Sequence, residues 1–136
     1  MGEKVPNTIE VEVLTTLLTP ALTMKLYSND KTPAATDVAA NYTEVIGGGY
    51  ASKPLTFANW TITPGGPSQA VYTSSQTWIF TGVTGAPGTV YGYFVIRNSD
   101  GKLMWAERFP SGSLPFSPVN GSRIVVLPTF SAESLF

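Results

Sequence analysis

From residue 21 onward, the chain alternates short apolar runs with clusters of proline and glycine, and this alternation constrains the fold most. After Pro20, "ALTMKLYS" has the two-residue period of a half-buried strand. Further β-like runs occur at residues 50–57, 60–63, 70–73, 77–81, 89–97, 102–109 and 123–130. Many short strands between regular turns are typical of antiparallel architectures. We therefore predict an all-β fold, an antiparallel β-sandwich or jelly-roll-like barrel, as a single domain over residues 21–136.

Residues 1–20 form an N-terminal segment whose pattern is ambiguous. Asn7 followed by Glu10 has the spacing of a capping box, which favours a short helix that ends before Pro20. Within residues 9–18, apolar side chains alternate as in a strand but also recur three and four apart as in a helix. They are Ile9, Val11, Val13, Leu14, Leu17 and Leu18. The sequence leaves a flexible arm, a helix and a strand open.

The clearest local element is "TVYGYFVIRNSDGKLMWAERF", residues 89–109. Two β-rich runs flank Asp100 and Gly101, which supply the left-handed backbone of a tight turn, so this segment is a predicted hairpin. Both faces of the first strand are largely apolar, which is typical of a central strand between two packed layers.

The composition excludes most catalytic and metal chemistry. Histidine and cysteine are absent, so Ser-His-Asp triads, Cys-His pairs, disulfides and zinc sites of these ligands are impossible. Among the nine acidic residues, Glu107 alone, on a strand beside Trp105, suggests partial burial, and we expect it to pair with a nearby arginine. We therefore predict no enzymatic activity, no cofactor and no metal.

The charge balance bears on partners and on location. Charged residues make up 12% of the chain, about half the usual share, and the net charge is −1 with no basic block. Nucleic-acid binding needs a concentrated positive surface, and no apolar run is long enough to span a membrane. The start "MGEKVPNT" lacks the pattern of a signal peptide, so we expect synthesis in the cytoplasm. Sparse charge also leaves much neutral surface for contact with a protein partner.

Three consecutive glycines, Gly47, Gly48 and Gly49, precede a lysine, which raises the question of a phosphate-binding loop. A P-loop places glycine directly before the lysine and a helix after it. Here Ser52 precedes the lysine and Pro54 follows it, and proline disfavours helical backbone at the preceding residue. We expect structural glycines instead, which form a bend into the strand at residues 50–57, with the proline on a sheet edge.

Aromatic residues suggest two alternatives. Trp60, Trp78 and Trp105, with the tyrosines, are the residue types of a sugar-binding platform, but large rings more often lie in cores and interfaces. We therefore favour core or interface positions for these rings.

Five stretches in order resemble a recurrent family of small virion proteins of tailed bacteriophages. They are LTMKLYSND, TEVIGGGYASKPLTF, TWIFTG, GTVYGYFVIRNSDGKLMWAERF and NGSRIVVLPTF, which together cover most of residues 22–130. The GGGYA block and the last strand with its preceding turn are the most specific. The resemblance implies a structural protein of the virion, a capsid decoration or tail component, and no catalytic residues carry over.

These observations lead to one expectation and two alternatives. We expect a non-enzymatic capsid decoration (cement) protein, located in the virion, that binds the major capsid protein and forms a homo-oligomer, most simply a trimer. The alternatives are a tail or baseplate component and a carbohydrate-binding module. Expected contact residues are Ile9, Val11, Val13, Leu14, Leu17 and Leu18 in the N-terminal segment, and Tyr91, Tyr93, Trp105 and Phe116 at a subunit interface.

Overall fold

A computed structural model describes residues 4–82, 88–113 and 116–132 of the chain. Within these residues it has one α-helix, α1 (Asn7–Leu18), and nine strands. The strands are β1 (Leu22–Tyr27), β2 (Lys53–Leu55), β3 (Trp60–Thr63), β4 (Gln69–Tyr72), β5 (Gln76–Ile79), β6 (Gly92–Arg97), β7 (Leu103–Arg108), β8 (Arg123–Val126) and β9 (Thr129–Ser131).

The strands form three sheets, and every pairing between them in the described ranges is antiparallel. The strand orders are β2-β1-β6-β7, β3-β4-β9 and β5-β8. The protein is therefore mostly β with one short helix, as the spacing of apolar runs and turns predicts.

The predicted hairpin is present and occupies the middle of the largest sheet. Strand β6 pairs with both β1 and β7, and Gly101 has a φ of +72° in the connecting turn. Residues Gly92 to Val95 are all buried, because one face of the strand meets the main core and the other meets a second aromatic cluster. Both faces of β6 are apolar because both are buried.

One predicted strand is divided in the structure. The run at residues 123–130 forms β8, which pairs with β5, and β9, which pairs with β4 in another sheet. The chain changes sheets at Pro128, which has no N–H to donate to a continuing ladder. Its carbonyl instead accepts a hydrogen bond from the Tyr72 N–H at 2.9 Å.

The run at residues 50–57 forms a shorter strand than predicted. Strand β2 spans only Lys53–Leu55, at the edge of the four-stranded sheet, with Pro54 opposite Thr23 of β1. Proline is accepted there because an edge strand does not need a second row of N–H donors.

The N-terminal segment forms a helix, but its predicted capping box is wrong. The residue that caps α1 is Pro6, whose side chain makes no capping hydrogen bond. The Glu10 carboxylate instead accepts a hydrogen bond from the Ser68 N–H, 58 residues away, at 2.9 Å. The carboxylate therefore ties the first turn of α1 to the connection between β3 and β4.

The main core joins the helix to all three sheets. It includes Leu14 and Leu18 of α1, Met24 of β1, Trp78 of β5 and Phe130 of β9, all of which are buried. A second cluster, Tyr27, Tyr42 and Phe94, lies on the other face of the four-stranded sheet.

The loop between β1 and β2 covers this second cluster through a set of polar contacts. The Asp37 carboxylate lies 2.8 Å from the Lys31 ammonium and accepts hydrogen bonds from the Tyr42 hydroxyl at 2.7 Å and the Ala34 N–H at 2.8 Å. The contacts to Lys31 and Tyr42 lower the pKa of Asp37 from 3.8 to about 2.

Gly92→Ala tests the close packing of the central strand. A Cβ at this position lies 2.2 Å from the Glu107 carbonyl oxygen and 2.7 Å from the Tyr27 ring, and the backbone atom cannot move aside cheaply. We expect the free energy of unfolding, measured by urea denaturation, to fall by about 1–3 kcal/mol. The control Gly112→Ala, where no atom lies within 4 Å, should change it by less than about 0.5 kcal/mol. Equal effects of the two substitutions contradict this packing.

Asp37→Asn tests the loop contacts through their pH dependence. A carboxyl whose pKa is lower in the folded state stabilises that state above its ordinary pKa and loses this effect as the carboxyl is protonated. The contribution of Asp37 should therefore be complete above about pH 4 and disappear toward pH 2. In urea titrations across this range, the variant should lose less stability than the parent. If the variant and the parent lose the same stability between about pH 4 and pH 2, Asp37 does not contribute to stability in this way.

Candidate functional site

The three glycines form a turn that needs glycine at each position. Gly47, Gly48 and Gly49 have φ values of +77°, +61° and +76°, and the Tyr50 N–H donates to the Gly47 carbonyl at 3.1 Å. Positive φ at both central residues is characteristic of a type I′ turn, which strongly favours glycine. The segment is therefore a rigid change of chain direction.

Tyr50 holds this turn against the four-stranded sheet. Its hydroxyl donates to the Glu44 carboxylate at 2.8 Å and accepts from the Leu26 N–H of β1 at 3.2 Å. Burial, together with the hydrogen bond to Glu44, raises the pKa of the Tyr50 hydroxyl. The tyrosine consequently stays protonated and donating at ordinary pH.

A second set of contacts attaches the turn to the two-stranded sheet. The Thr81 N–H donates to the Gly48 carbonyl at 2.9 Å, and the Trp78 indole N–H donates to the Ala51 carbonyl at 2.8 Å. The Lys53 ammonium lies 5.8 Å from the centre of the Trp78 ring, so this lysine packs on an aromatic face. The turn thus bridges two sheets.

Apolar side chains are exposed where the glycine turn meets the two-stranded sheet of β5 and β8. Ile46, directly before the turn, is 74% exposed, and Val119, in the connection that leads into β8, is 66% exposed. This connection is held at the same end, because the Gly82 N–H donates to the Asn120 side chain at 3.1 Å. We call the surface formed by Ile46, Thr81 and Val119 the glycine-turn surface.

The helix residues expected at an interface divide into two groups. Leu14 and Leu18 are completely buried, so their prediction as contact residues is corrected: they hold α1 to the protein's own core. On the outer side, Ile9 is 44% exposed, and Val11, Val13 and Leu17 are half-buried.

The four aromatic residues expected at a subunit interface lie in different environments. Tyr93 is only 3% exposed, which corrects its assignment to an interface. Trp105 is half-buried and stacks on Phe130, with 4.5 Å between ring centres. Tyr91 is half-buried and stacks under the Arg108 guanidinium. Phe116 is half-buried and lines a groove beside β8.

Two of the three tryptophans are not available as a sugar-binding platform. Trp60 and Trp78 are 8% and 3% exposed, and each packs in the main core. An aromatic platform needs exposed ring faces, so only Trp105 retains part of this potential.

The predicted ion pair of Glu107 is also corrected. Glu107 is exposed, while Arg108 pairs with Asp30 at 2.7 Å and Arg97 pairs with Asp100 at 2.6 Å. In the part of the chain that the structure describes, no three acidic side chains lie close enough to hold a metal ion.

The sequence reasoning missed the glycine-turn surface. Ile46 and Val119 lie within turn segments and belong to no β-like run. Their only signal is position, because each stands one or two residues before a glycine with positive φ, Gly47 and Gly121 respectively.

Comparison of the chain with protein-family models, curated protein sequences and solved structures found no match. Among the described residues, no helix is long and apolar enough to cross a membrane.

Gly49→Ala tests the glycine turn. The substitution places a side chain at a φ of +76° and a Cβ 2.7 Å from the Thr81 hydroxyl oxygen, so unfolding should require about 1–3 kcal/mol less. Gly82→Ala is the matched control, because its φ is +61° but no atom lies within 4 Å. Urea denaturation should show a larger loss for Gly49→Ala, and Thr81→Ala should reduce that excess. Equal losses at both glycines are inconsistent with a close contact.

Proposed function

We propose that this chain is a non-enzymatic structural protein of a tailed-bacteriophage virion, most specifically a capsid decoration protein that binds the assembled major capsid protein. The observation that carries the proposal is the glycine-turn surface, where Ile46 is 74% exposed directly before the turn and Val119 is 66% exposed in the connection that leads into β8. The same segment contains the GGGYA block, the most specific part of the resemblance to virion proteins.

The physical character of this surface suits a protein partner. Exposed apolar side chains on a surface with few charges favour contact with another protein, because burial of the apolar area drives association. The turn is held by hydrogen bonds on both sides, so binding does not have to order a flexible loop. The fixed position of Ile46 beside this turn therefore supports a stable contact with a protein partner.

The mechanism that we propose is stabilisation by mass action. A protein that binds only the assembled lattice stabilises it by its binding free energy, and an oligomer adds avidity because it holds several lattice subunits at once. We propose a trimer, made in the host cytoplasm and incorporated into the virion, whose sheets pack as a β-sandwich. The contacts of Trp105 with Phe130 and Trp60, which join strands of two sheets, support this packing.

A tail or baseplate component is the main alternative, since the resemblance covers both kinds of virion protein. The carbohydrate-binding alternative is weaker, because Trp60 and Trp78 are buried.

The proposal is tested by adding the purified chain to heads of the phage that encodes it, prepared without this protein. We expect saturable binding in co-sedimentation, and density on the capsid lattice by cryo-electron microscopy. Ile46→Asp and Val119→Asp should each weaken binding about tenfold or more, since each places a charge in an apolar contact.

The matched control is Val38→Asp, which makes the same substitution at a residue that is 58% exposed but lies outside this surface. Its affinity for heads should equal that of the parent. Absence of binding to heads overturns the capsid proposal, and density confined to the tail in cryo-electron microscopy of complete phage particles establishes the alternative. Equal loss in all three variants refutes the role of the glycine-turn surface.

A further inference from the structure

Most charged side chains of the described residues are paired within the chain. Four ion pairs join Lys25 to Glu44, Lys31 to Asp37, Arg97 to Asp100 and Arg108 to Asp30. Four other exposed charged side chains make no hydrogen bond or ion pair with any described residue: Lys4, Glu12, Lys102 and Arg123. Of these, Glu12 and Arg123 line apolar depressions. In a chain with so few charges, the surfaces beside Glu12 and Arg123 indicate what these two side chains contact.

Glu12 lies beside an apolar ridge on the outer face of α1. Ile9, Val13 and Leu17 follow one another at four-residue spacing and line, with Glu12 and Thr16, a shallow depression. Residues four apart lie on one side of a helix, so the three side chains form a continuous row about 12 Å long. We call this row the helix ridge: an apolar strip with one carboxylate at its side.

Arg123 lies beside an apolar groove along β8. The groove has a volume of about 290 Å³ and is lined by Phe109, Phe116 and Val125, among others, with Arg123 at its border. Next to it, Ile79 lies opposite Arg123 across the β5–β8 pair and is 52% exposed, and Val125 is 54% exposed. We call this region the β8 groove: an apolar concavity with one guanidinium.

We propose that the helix ridge of one copy of this chain docks into the β8 groove of a second copy, with Glu12 against Arg123. The two surfaces are complementary in chemical character, since both are apolar and their contact buries hydrophobic side chains of both copies. They are also complementary in charge, since each carries one unpaired charge of opposite sign, and such pairing fixes the register of an interface. A second copy is the partner that carries both matching surfaces.

The contact is heterologous, because it joins two different surfaces. A growing assembly then has a free helix ridge at one end and a free β8 groove at the other. Further copies add until these two ends meet and the ring closes. The glycine-turn residues Ile46 and Val119 line neither surface, so they stay available to another partner. The proposal takes its homo-oligomer from the proposed function and rests on it in that respect, but its test in solution needs no capsid.

Charge reversal tests the contact by sedimentation velocity of the purified chain over a wide concentration range. The parent should associate as its concentration rises. Glu12→Arg and Arg123→Glu should each raise the dissociation constant about tenfold or more, because like charges then meet in the interface. The double variant should return it to within about threefold of the parent, since the pair is restored in reverse. Lys102→Glu, an exposed charge outside both surfaces, should have no effect.

Cysteine cross-linking tests the geometry directly, because the chain contains no cysteine of its own. On oxidation of a mixture of Val13→Cys and Val125→Cys proteins, the mixed disulfide should exceed both symmetric ones. A mixture of Val13→Cys with Val38→Cys is the control and should show no excess. Circular dichroism spectra of all variants should match the parent.

Three results overturn the proposal: a parent that stays monomeric at every concentration, a double charge variant no better than the worse single variant, or no excess of the mixed disulfide. Failure to bind phage heads with association intact refutes the proposed function and leaves this contact standing. Binding to heads by a parent that stays monomeric supports the proposed function and refutes this contact.

Discussion

Side-chain packing between separate sheets is the interaction on which this structure depends. Trp105 of β7 stacks on Phe130 of β9 with 4.5 Å between ring centres and 18° between planes, and Trp60 of β3 meets Trp105 edge-on at 6.1 Å. These strands belong to different hydrogen-bonded ladders, so rings and not backbone bonds join the two sheets there. Large aromatic side chains suit this role because each buries a large apolar area.

Because the chain has few charged residues, much of its surface is uncharged. The eight groups in the four ion pairs neutralise one another and brace loops and strand ends, for example where Lys31 and Asp37 hold the loop over the Tyr27 cluster. Exposed apolar side chains, among them Ile46, Val119 and Val125, cover part of the rest. Uncharged groups cost less to desolvate than charged ones.

Two of the three proposed contact surfaces, the glycine-turn surface and the helix ridge, lie on parts of the chain that internal contacts hold in place. The glycine turn is attached to β1 through Tyr50 and to β5 through Trp78, and α1 is attached through Leu14, Leu18 and the hydrogen bond from Ser68 to Glu10. Preorganised surfaces lose little conformational entropy when they bind. The N-terminal segment, for which the sequence left a flexible arm open, therefore packs through α1 into the core.

The sequence by itself determined where most strands lie, the hairpin at Asp100–Gly101 and the edge location of Pro54, because alternation, turn residues and the missing proline N–H act locally. The tertiary structure decided everything that depends on residues distant along the chain. It divided residues 123–130 between two sheets, gave Glu10 a partner 58 residues away, buried Leu14, Leu18 and Tyr93, and left Ile46 and Val119 exposed. A local pattern shows that a side chain prefers burial, but only the pairing of remote strands decides which side chains find a place inside.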